Sequence, residues 1–241
     1  MTKFPNQVAV MLLVGVCGWP ALAQAETRSF DGTWQIEGRP DTLRPVDGGA
    51  VPLTAAGRET YEPRRTAYSK GDRTFDPVMR SCASPGVPRV ALLGGAFEII
   101  DRPQQITFLF GWNHLFRTVP VGKPLSTVGY ASAIGTSEAK REDDGLVIDT
   151  RELNPATLLD ATGLPHGPNL KVRETYRLID GGERLVLRLR FEDAEIYTRP
   201  WEADVTFRRL TDYQLKEDVC LDRIAVGQPA IPTTSARERP K

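Results

Sequence analysis

The chain has few of the residues from which common catalytic centres are built: two histidines and three cysteines in 241 residues. No Cys-x-x-Cys pair, His-Glu-x-x-His helix, Walker loop, Gly-x-Gly-x-x-Gly turn or Gly-x-Ser-x-Gly elbow occurs. Those absences remove the usual thiol-redox, zinc-protease, nucleotide-binding and serine-hydrolase readings. With two histidines a three-histidine zinc site is impossible. Two histidines with Glu174 or Asp160 would permit an open metal site, but nothing in the spacing demands one, so neither metal nor cofactor is assigned. An excess of either charge is missing as well, since 31 Lys+Arg balance 31 Asp+Glu. Without a basic block, nucleic acid is not expected as the partner. No internal repeat is present. Val8 to Val16 is an apolar run too short to span a bilayer.

That run belongs to an export signal. Lys3 supplies a positive end and Ala23-Gln24-Ala25 a small-x-small cleavage site, so residues 1–25 are expected to be a signal peptide. Val16 directly before Cys17 fits a lipoprotein signal poorly. The expected product is periplasmic or secreted, with no membrane span after cleavage. Lys3 is the one charged residue removed, leaving 30 basic against 31 acidic side chains. Roughly 215 remaining residues suit one domain with a full core, placed at 26–223, followed by a flexible tail over 224–241. Cys82 and Cys220 survive processing. In an oxidising compartment they are expected to pair rather than remain separate buried thiols, a link worth about 5 kcal/mol in the chain-entropy picture.

Alternation dominates the rest. Ser29 to Glu37 puts Phe30, Trp34 and Ile36 on one face, a first strand. Thr54 is an N-cap candidate before a helix-permissive stretch, giving a helical insertion at about 53–70 that stops at Gly71. Pro63 inside it predicts a kink or two short helices. Residues 72–95, with several prolines and Cys82, read as irregular. Phe97 to Asp101 and Gln104 to Gly111 form a hairpin, and Leu115 to Val121 extends the run or starts another strand. Further hairpins join Thr136–Glu142 to Leu146–Thr150 across Asp143-Asp144-Gly145, and Lys171–Ile179 to Arg184–Phe191. Trp201 to Leu210 is the last long strand. Eight or nine hairpin-linked strands hide their edges best by closing, so the expected fold is mainly β: an antiparallel lipocalin- or calycin-like barrel with a helical insertion near the N-terminus. An open, curved sheet with a helical flap is the alternative.

Gly32-Thr33-Trp34 on the first strand, with Arg208-Arg209 on the last, resembles the lipocalin arrangement, in which a tryptophan packs under an arginine from the final strand. The 53–95 insertion departs from that pattern. Residues 29–222 also resemble a family of uncharacterised exported bacterial proteins. The likeness rests on Phe30-Asp31-Gly32-Thr33-Trp34, Pro52-Leu53-Thr54, Asn113-His114, Val147-Ile148-Asp149-Thr150, Asp160 to His166 and Tyr197-Thr198-Arg199-Pro200-Trp201. It implies secretion and carries over no activity.

The candidate site is drawn around Leu158 to Tyr176. Val172, Glu174, Tyr176 and Leu178 share a face, so Glu174 points to the apolar side, where a lone carboxylate is costly. Counting by twos from Ile106, Phe108, Phe110 and Trp112 brings His114 and Phe116 to the interior as well, unless Gly111 bends the strand. Candidate catalytic residues are therefore His114, His166, Glu174 and Asp160, with a histidine as base and Glu174 orienting or protonating. Trp112, Asn113, Phe116, Arg117, Tyr176, Tyr197 and Trp201 are candidate ligand contacts, Tyr197 or Arg117 steadying an oxyanion. The functional expectation is an exported protein holding a small hydrophobic or aromatic molecule in its interior. Its alternative is a cofactor-independent lyase, isomerase or hydrolase. Each residue also has a structural reading. His114 would be a satisfied core histidine, His166 a loop cap through a backbone hydrogen bond, and Asp160 a turn initiator. Glu174 would be the partner of an inward arginine such as Arg209. Arg184, Arg188 and Arg190 read as a solvated face.

Overall fold

The computed structural model describes Met1 and residues 29–38, 41–142 and 145–232. The expected signal peptide, the Asp143-Asp144 turn and the last nine residues of the expected tail lie outside the described residues. Nine strands follow in chain order: β1 (Gly32–Ile36), β2 (Phe97–Arg102), β3 (Gln105–Phe110), β4 (Phe116–Pro120), β5 (Thr136–Glu142), β6 (Gly145–Arg151), β7 (Lys171–Ile179), β8 (Arg184–Glu192) and β9 (Trp201–Leu210). Three helices accompany them: α1 (Ala55–Ser69), α2 (Pro77–Ser81) and α3 (Cys220–Ala225). All strands join one sheet in the order β4-β3-β2-β1-β9-β8-β7-β6-β5, each antiparallel to its neighbours.

An odd number of alternating strands leaves the two edges, β4 and β5, pointing the same way. They meet in one parallel bridge, Val121 to Ala139, where Gly122 N donates to Ala139 O at 2.9 Å. Among the described residues no ladder joins these edges, so the sheet is curled but not closed. The curl brings β3 and β7 into contact across the inner face, where Phe108 lies 5.6 Å from Tyr176. Phe97 on β2 and Phe207 on β9, on the two sides of β1, stand edge-on at 5.2 Å. At one end Arg141 of β5 pairs with Asp101 of β2.

Burial follows the alternation. On β8, Leu185, Leu187, Leu189 and Phe191 are wholly buried, while Arg184, Arg188 and Arg190 face out. Those arginines pair with acids on neighbouring strands or nearby: Arg188 with Asp204, Arg190 with Glu202 and Glu192, Arg184 with Glu37. The same outer face carries Arg173 with Asp149. This is the solvated face expected from the sequence, and such exposed pairs contribute at most about 1 kcal/mol each. Trp34, fully buried on β1, donates Nε1 to Phe30 O, and the Arg209 guanidinium of β9 covers its ring at 4.3 Å.

Three local expectations are corrected. α1 runs unbroken through Pro63 instead of kinking into two helices. Its anchors lie on one side: Gly57 and Tyr61 are buried, and the Thr54 cap accepts from Gly57 N, so tertiary contacts offset the hydrogen bond lost at the proline. The irregular 72–95 segment contains α2 and a 3-10 turn over Arg89–Leu92. The chain after Arg223 is not loose throughout, because α3 continues to Ala225 and Ala230 is buried.

Gly57 allows α1 to touch the 193–197 loop. A Cβ there would meet Ile196 O at 2.5 Å and Leu53 Cδ2 at 3.1 Å. Gly57→Ala therefore sets a helix-propensity gain of about 1 kcal/mol against a backbone clash costing about 1–3 kcal/mol. The clash wins, and the thermal midpoint of the variant should fall; a rise would mean that α1 is not seated on Ile196.

Candidate functional site

Strand parity places Glu174 correctly, on the inner face and 1% exposed. Its partner is Arg117 of β4, not Arg209. Arg117 Nη1 donates to Glu174 Oε1 at 3.0 Å and Nη2 to Oε2 at 2.6 Å. Tyr176 Oη adds a third donor to Oε1 at 2.8 Å. Nη2 also reaches Thr150 Oγ1 on β6 at 2.7 Å and Ser137 Oγ on β5 at 2.9 Å. Burial works against the charge of Arg117, but the Glu174 carboxylate outweighs it and holds the guanidinium above its ordinary pKa. Burial, reinforced by the Glu174 charge, pushes the Tyr176 phenol well up, so it stays a donor. The carboxylate takes three donors, two on Oε1 and one on Oε2, and its charge is matched by the guanidinium. The group braces four strands together.

His114 is elsewhere. Trp112, Asn113 and His114 form a turn between β3 and β4, with Asn113 and His114 at φ of 50° and 52°. The expected inward His114 is corrected: its side chain is 58% exposed and its Nε2 meets Glu217 Oε1 at 2.7 Å. Phe116, also expected inside, is 64% exposed. The cause is Gly111, where the backbone runs so close to Lys216 O that a Cβ has no room, and the strand turns instead of continuing. Trp112 is buried, but in a small separate cluster with Val78, Leu93, Cys220 and Ala230. Asn113 joins two distant segments: Nδ2 donates to Cys82 O at 3.3 Å and Oδ1 accepts from Cys220 N at 2.8 Å. Cys82 and Cys220 are bonded to each other, with Cα atoms 5.8 Å apart.

The 151–170 loop uses its polar residues on itself. Asp160 Oδ1 accepts from Thr162 N, Thr162 Oγ1 and Leu164 N at 2.8–3.2 Å, and Oδ2 from Leu43 N at 3.1 Å. It is the expected turn initiator, with its pKa raised by burial and these donors pulling the other way. Thr162 in turn takes the Tyr61 hydroxyl of α1 at 2.7 Å. His166 Nδ1 faces Gly167 O at 2.9 Å, so it carries the proton, and Nε2 faces Thr157 Oγ1 at 2.8 Å. Burial depresses its pKa, the Gly167 contact and Asp193 opposing. Tyr197 Oη donates to Pro165 O at 2.7 Å, and Trp201 stacks on Phe191 at 4.6 Å, the core corner expected. Glu174, His114, His166 and Asp160 thus each have their own partners, and no contact joins any two of them. Among the described residues no three His, Cys, Asp or Glu side chains are placed to hold a metal ion.

A cavity of about 220 Å³ lies outside the sheet, between the C-terminal half of α1, α2, the 3-10 turn and the 229–231 segment. Met79, Leu92, Leu93, Pro229 and Ile231 give it apolar walls. Its charged side chains already have contacts in place. Arg89 closes on Asp76 through both guanidinium nitrogens, at 2.9 Å for Nη1 to Oδ1, and both residues are buried. Arg73 stacks on the Tyr68 ring at 3.5 Å, and Tyr68 is held up in pKa by burial and then by its hydrogen bond to Asp41. Sequence reasoning missed these residues. One signal was present: Asp76 before Pro77 is an N-cap followed by an N1 proline, and Asp76 Oδ1 does accept from Val78 N at 3.0 Å. Nothing in the sequence paired Asp76 with Arg89. The chain matches no protein-family model and no curated protein.

Arg117→Met leaves Glu174 buried without its counter-charge and should cost about 3–5 kcal/mol in urea unfolding. Adding Glu174→Gln removes the orphan charge while keeping an acceptor for Tyr176, so the double variant should be the more stable of the two. Equal losses would show that the pair is not coupled. His166 makes a separate prediction. Because its folded-state pKa is depressed, the unfolded chain takes up the proton first, and stability should fall as pH drops below about 6.5. His166→Gln, though weaker overall, should flatten that part of the profile; an unchanged slope would remove His166 as its source.

Proposed function

We propose that the protein is an exported binding protein for a small, neutral, ring-sized molecule, held in the cavity between α1, α2 and the C-terminal segment. The observation that carries this reading is the cavity itself: apolar walls, with Asp76 and Arg89 paired to each other, Arg73 bonded to backbone carbonyls and Asp41 to the Tyr68 hydroxyl. A charged ligand entering there would shed water and have to displace one of these contacts to meet an opposite charge. Sites for drug-sized ligands run about 300–1,000 Å³, so 220 Å³ suits a smaller molecule of roughly one substituted ring. The sheet interior, first considered for the ligand, is occupied by aromatic and leucine side chains and by the Arg117–Glu174 pair. With the four candidate acid–base residues each tied to other partners, binding is favoured over proton-transfer catalysis.

In this reading the curled sheet is an incomplete calycin-like barrel serving as a rigid base. The Arg209 cover on Trp34 and the touching edges of β4 and β5 support that kinship. Export to the periplasm or beyond is supported by the signal-like first 25 residues and by the Cys82–Cys220 bond.

Ala161 lines the cavity and is half-buried, so Ala161→Phe fills space without emptying the core. Saturation-transfer NMR with indole should show contact with the native protein and none with Ala161→Phe at an unchanged thermal midpoint. Indole contact that survives the substitution would move the site elsewhere, and no contact with native protein would overturn the binding reading for this class of ligand.

A further inference from the structure

Two walls of the cavity come from segments far apart in the chain. Met79 belongs to α2, and Pro229 and Ile231 follow α3. The Cys82–Cys220 bond spans 138 residues to join them, from the C-cap of α2 to the first residue of α3. Ahead of residue 221 the chain is pinned to the β3–β4 turn: Asp218 exchanges backbone hydrogen bonds with Gly111 and Asn113, and Asn113 Oδ1 accepts from Cys220 N. Beyond Cys220 the ties are fewer. Trp112 Nε1 donates to Ala230 O and Arg223 Nε to Pro229 O, both at 2.9 Å. The apolar side chains of this segment mostly miss the protein: Leu221, Ile224 and Val226 are 65%, 45% and 72% exposed. Cys220 and Ala230 pack with Trp112, Val78 and Leu93 in a cluster separate from the sheet's own core. Cutting the bond therefore loosens the wall without reaching the sheet.

We infer that the cavity is redox-gated: reduction of Cys82–Cys220 by a dithiol releases the 221–232 wall and weakens ligand binding while the sheet stays folded. The inference rests on the proposed binding role of this cavity. Access favours one order of events, since Cys220 is wholly buried and Cys82 partly exposed. A thiolate of the dithiol attacks Cys82 Sγ, the Sγ–Sγ bond breaks, and Cys220 leaves as a thiolate that takes up a proton. The second thiol of the reagent then attacks the mixed disulfide, freeing Cys82 and leaving the reagent oxidised. Two electrons pass from dithiol to protein. Asn113 keeps both cysteine backbones in place, so the bond can re-form when the reductant is removed.

The test measures amide hydrogen exchange and indole affinity on the oxidised protein, the same protein after dithiothreitol, and Cys82→Ser/Cys220→Ser. The expected result is at least tenfold faster exchange within 221–232 in the latter two, unchanged protection in β7 to β9, and indole binding at least tenfold weaker. Protection retained in 221–232, after mass has shown the gain of two hydrogens, overturns the gate. So does loss of protection across the sheet, which would make the bond a staple of the whole fold, and so does unchanged indole affinity with a released wall. If the oxidised protein does not bind indole, the binding role fails on its own. The exchange measurement then still decides whether the bond controls the wall.

Discussion

The contact between Arg117 and Glu174 sets the terms for the rest of the molecule. A guanidinium on one edge strand, β4, reaches across the inner face to a carboxylate on β7 and touches hydroxyls on β5 and β6 along the way. Removing two charges from water costs several kcal/mol per ion. Here a bidentate geometry, a tyrosine donor and two hydroxyls offset that cost. The pair does for the curled sheet what a ladder does for a closed barrel. Backbone pairing between β4 and β5 is limited to one bridge, and a side-chain bond inside the curl ties β4 to the strands beyond it. A sheet held this way carries aromatic and aliphatic side chains on its inner face, and the cavity lies where helices and loops pack against it.

Polar side chains elsewhere act in the same structural manner. Asp160 gathers the amides of its own loop and of Leu43, Thr162 passes the Tyr61 hydroxyl to it, and His166 bridges Thr157 and Gly167. Together they fix a long loop against α1, and α1 supplies Tyr68 to the cavity wall. Two segments far apart in the chain are brought to that cavity by different means. The 76–93 segment is fixed by the buried Asp76–Arg89 pair, whereas the 229–231 segment is tied to the rest through the disulfide, the backbone bonds of Asp218 and the hydrogen bond from Trp112 to Ala230. One wall is rigid and the other conditional, and that asymmetry makes this part of the structure suited to control.

Much of the fold was legible because alternation is a local property. Eight of the strands fall where alternation places them, β4 settles an extension-or-new-strand choice left open at Leu115 to Val121, and Glu174 faces inward as counted. Thr54 caps α1, Asp160 turns its loop, and Cys82 meets Cys220. The count failed where one glycine ended a strand. Beyond Gly111 each step of two was measured from a strand that had already turned, so His114 and Phe116 were placed inside and lie outside. An inward arginine was one reading for the partner of Glu174, with Arg209 as the example, and Arg117 takes that place, because sequence shows which residues face inward but not which inward residues meet.

The sequence alone determined the strand periods, the burial of a carboxylate, the available thiols and the absence of a three-histidine metal site. Those follow from residue type and from spacing along one strand. Only tertiary structure decided that Arg117 neutralises Glu174, that Asp76 meets Arg89, and that a cavity opens beside the sheet instead of within it. Those outcomes depend on how far the sheet curls and where chain segments cross, and such distances are set by all strands together, not by any one stretch of sequence.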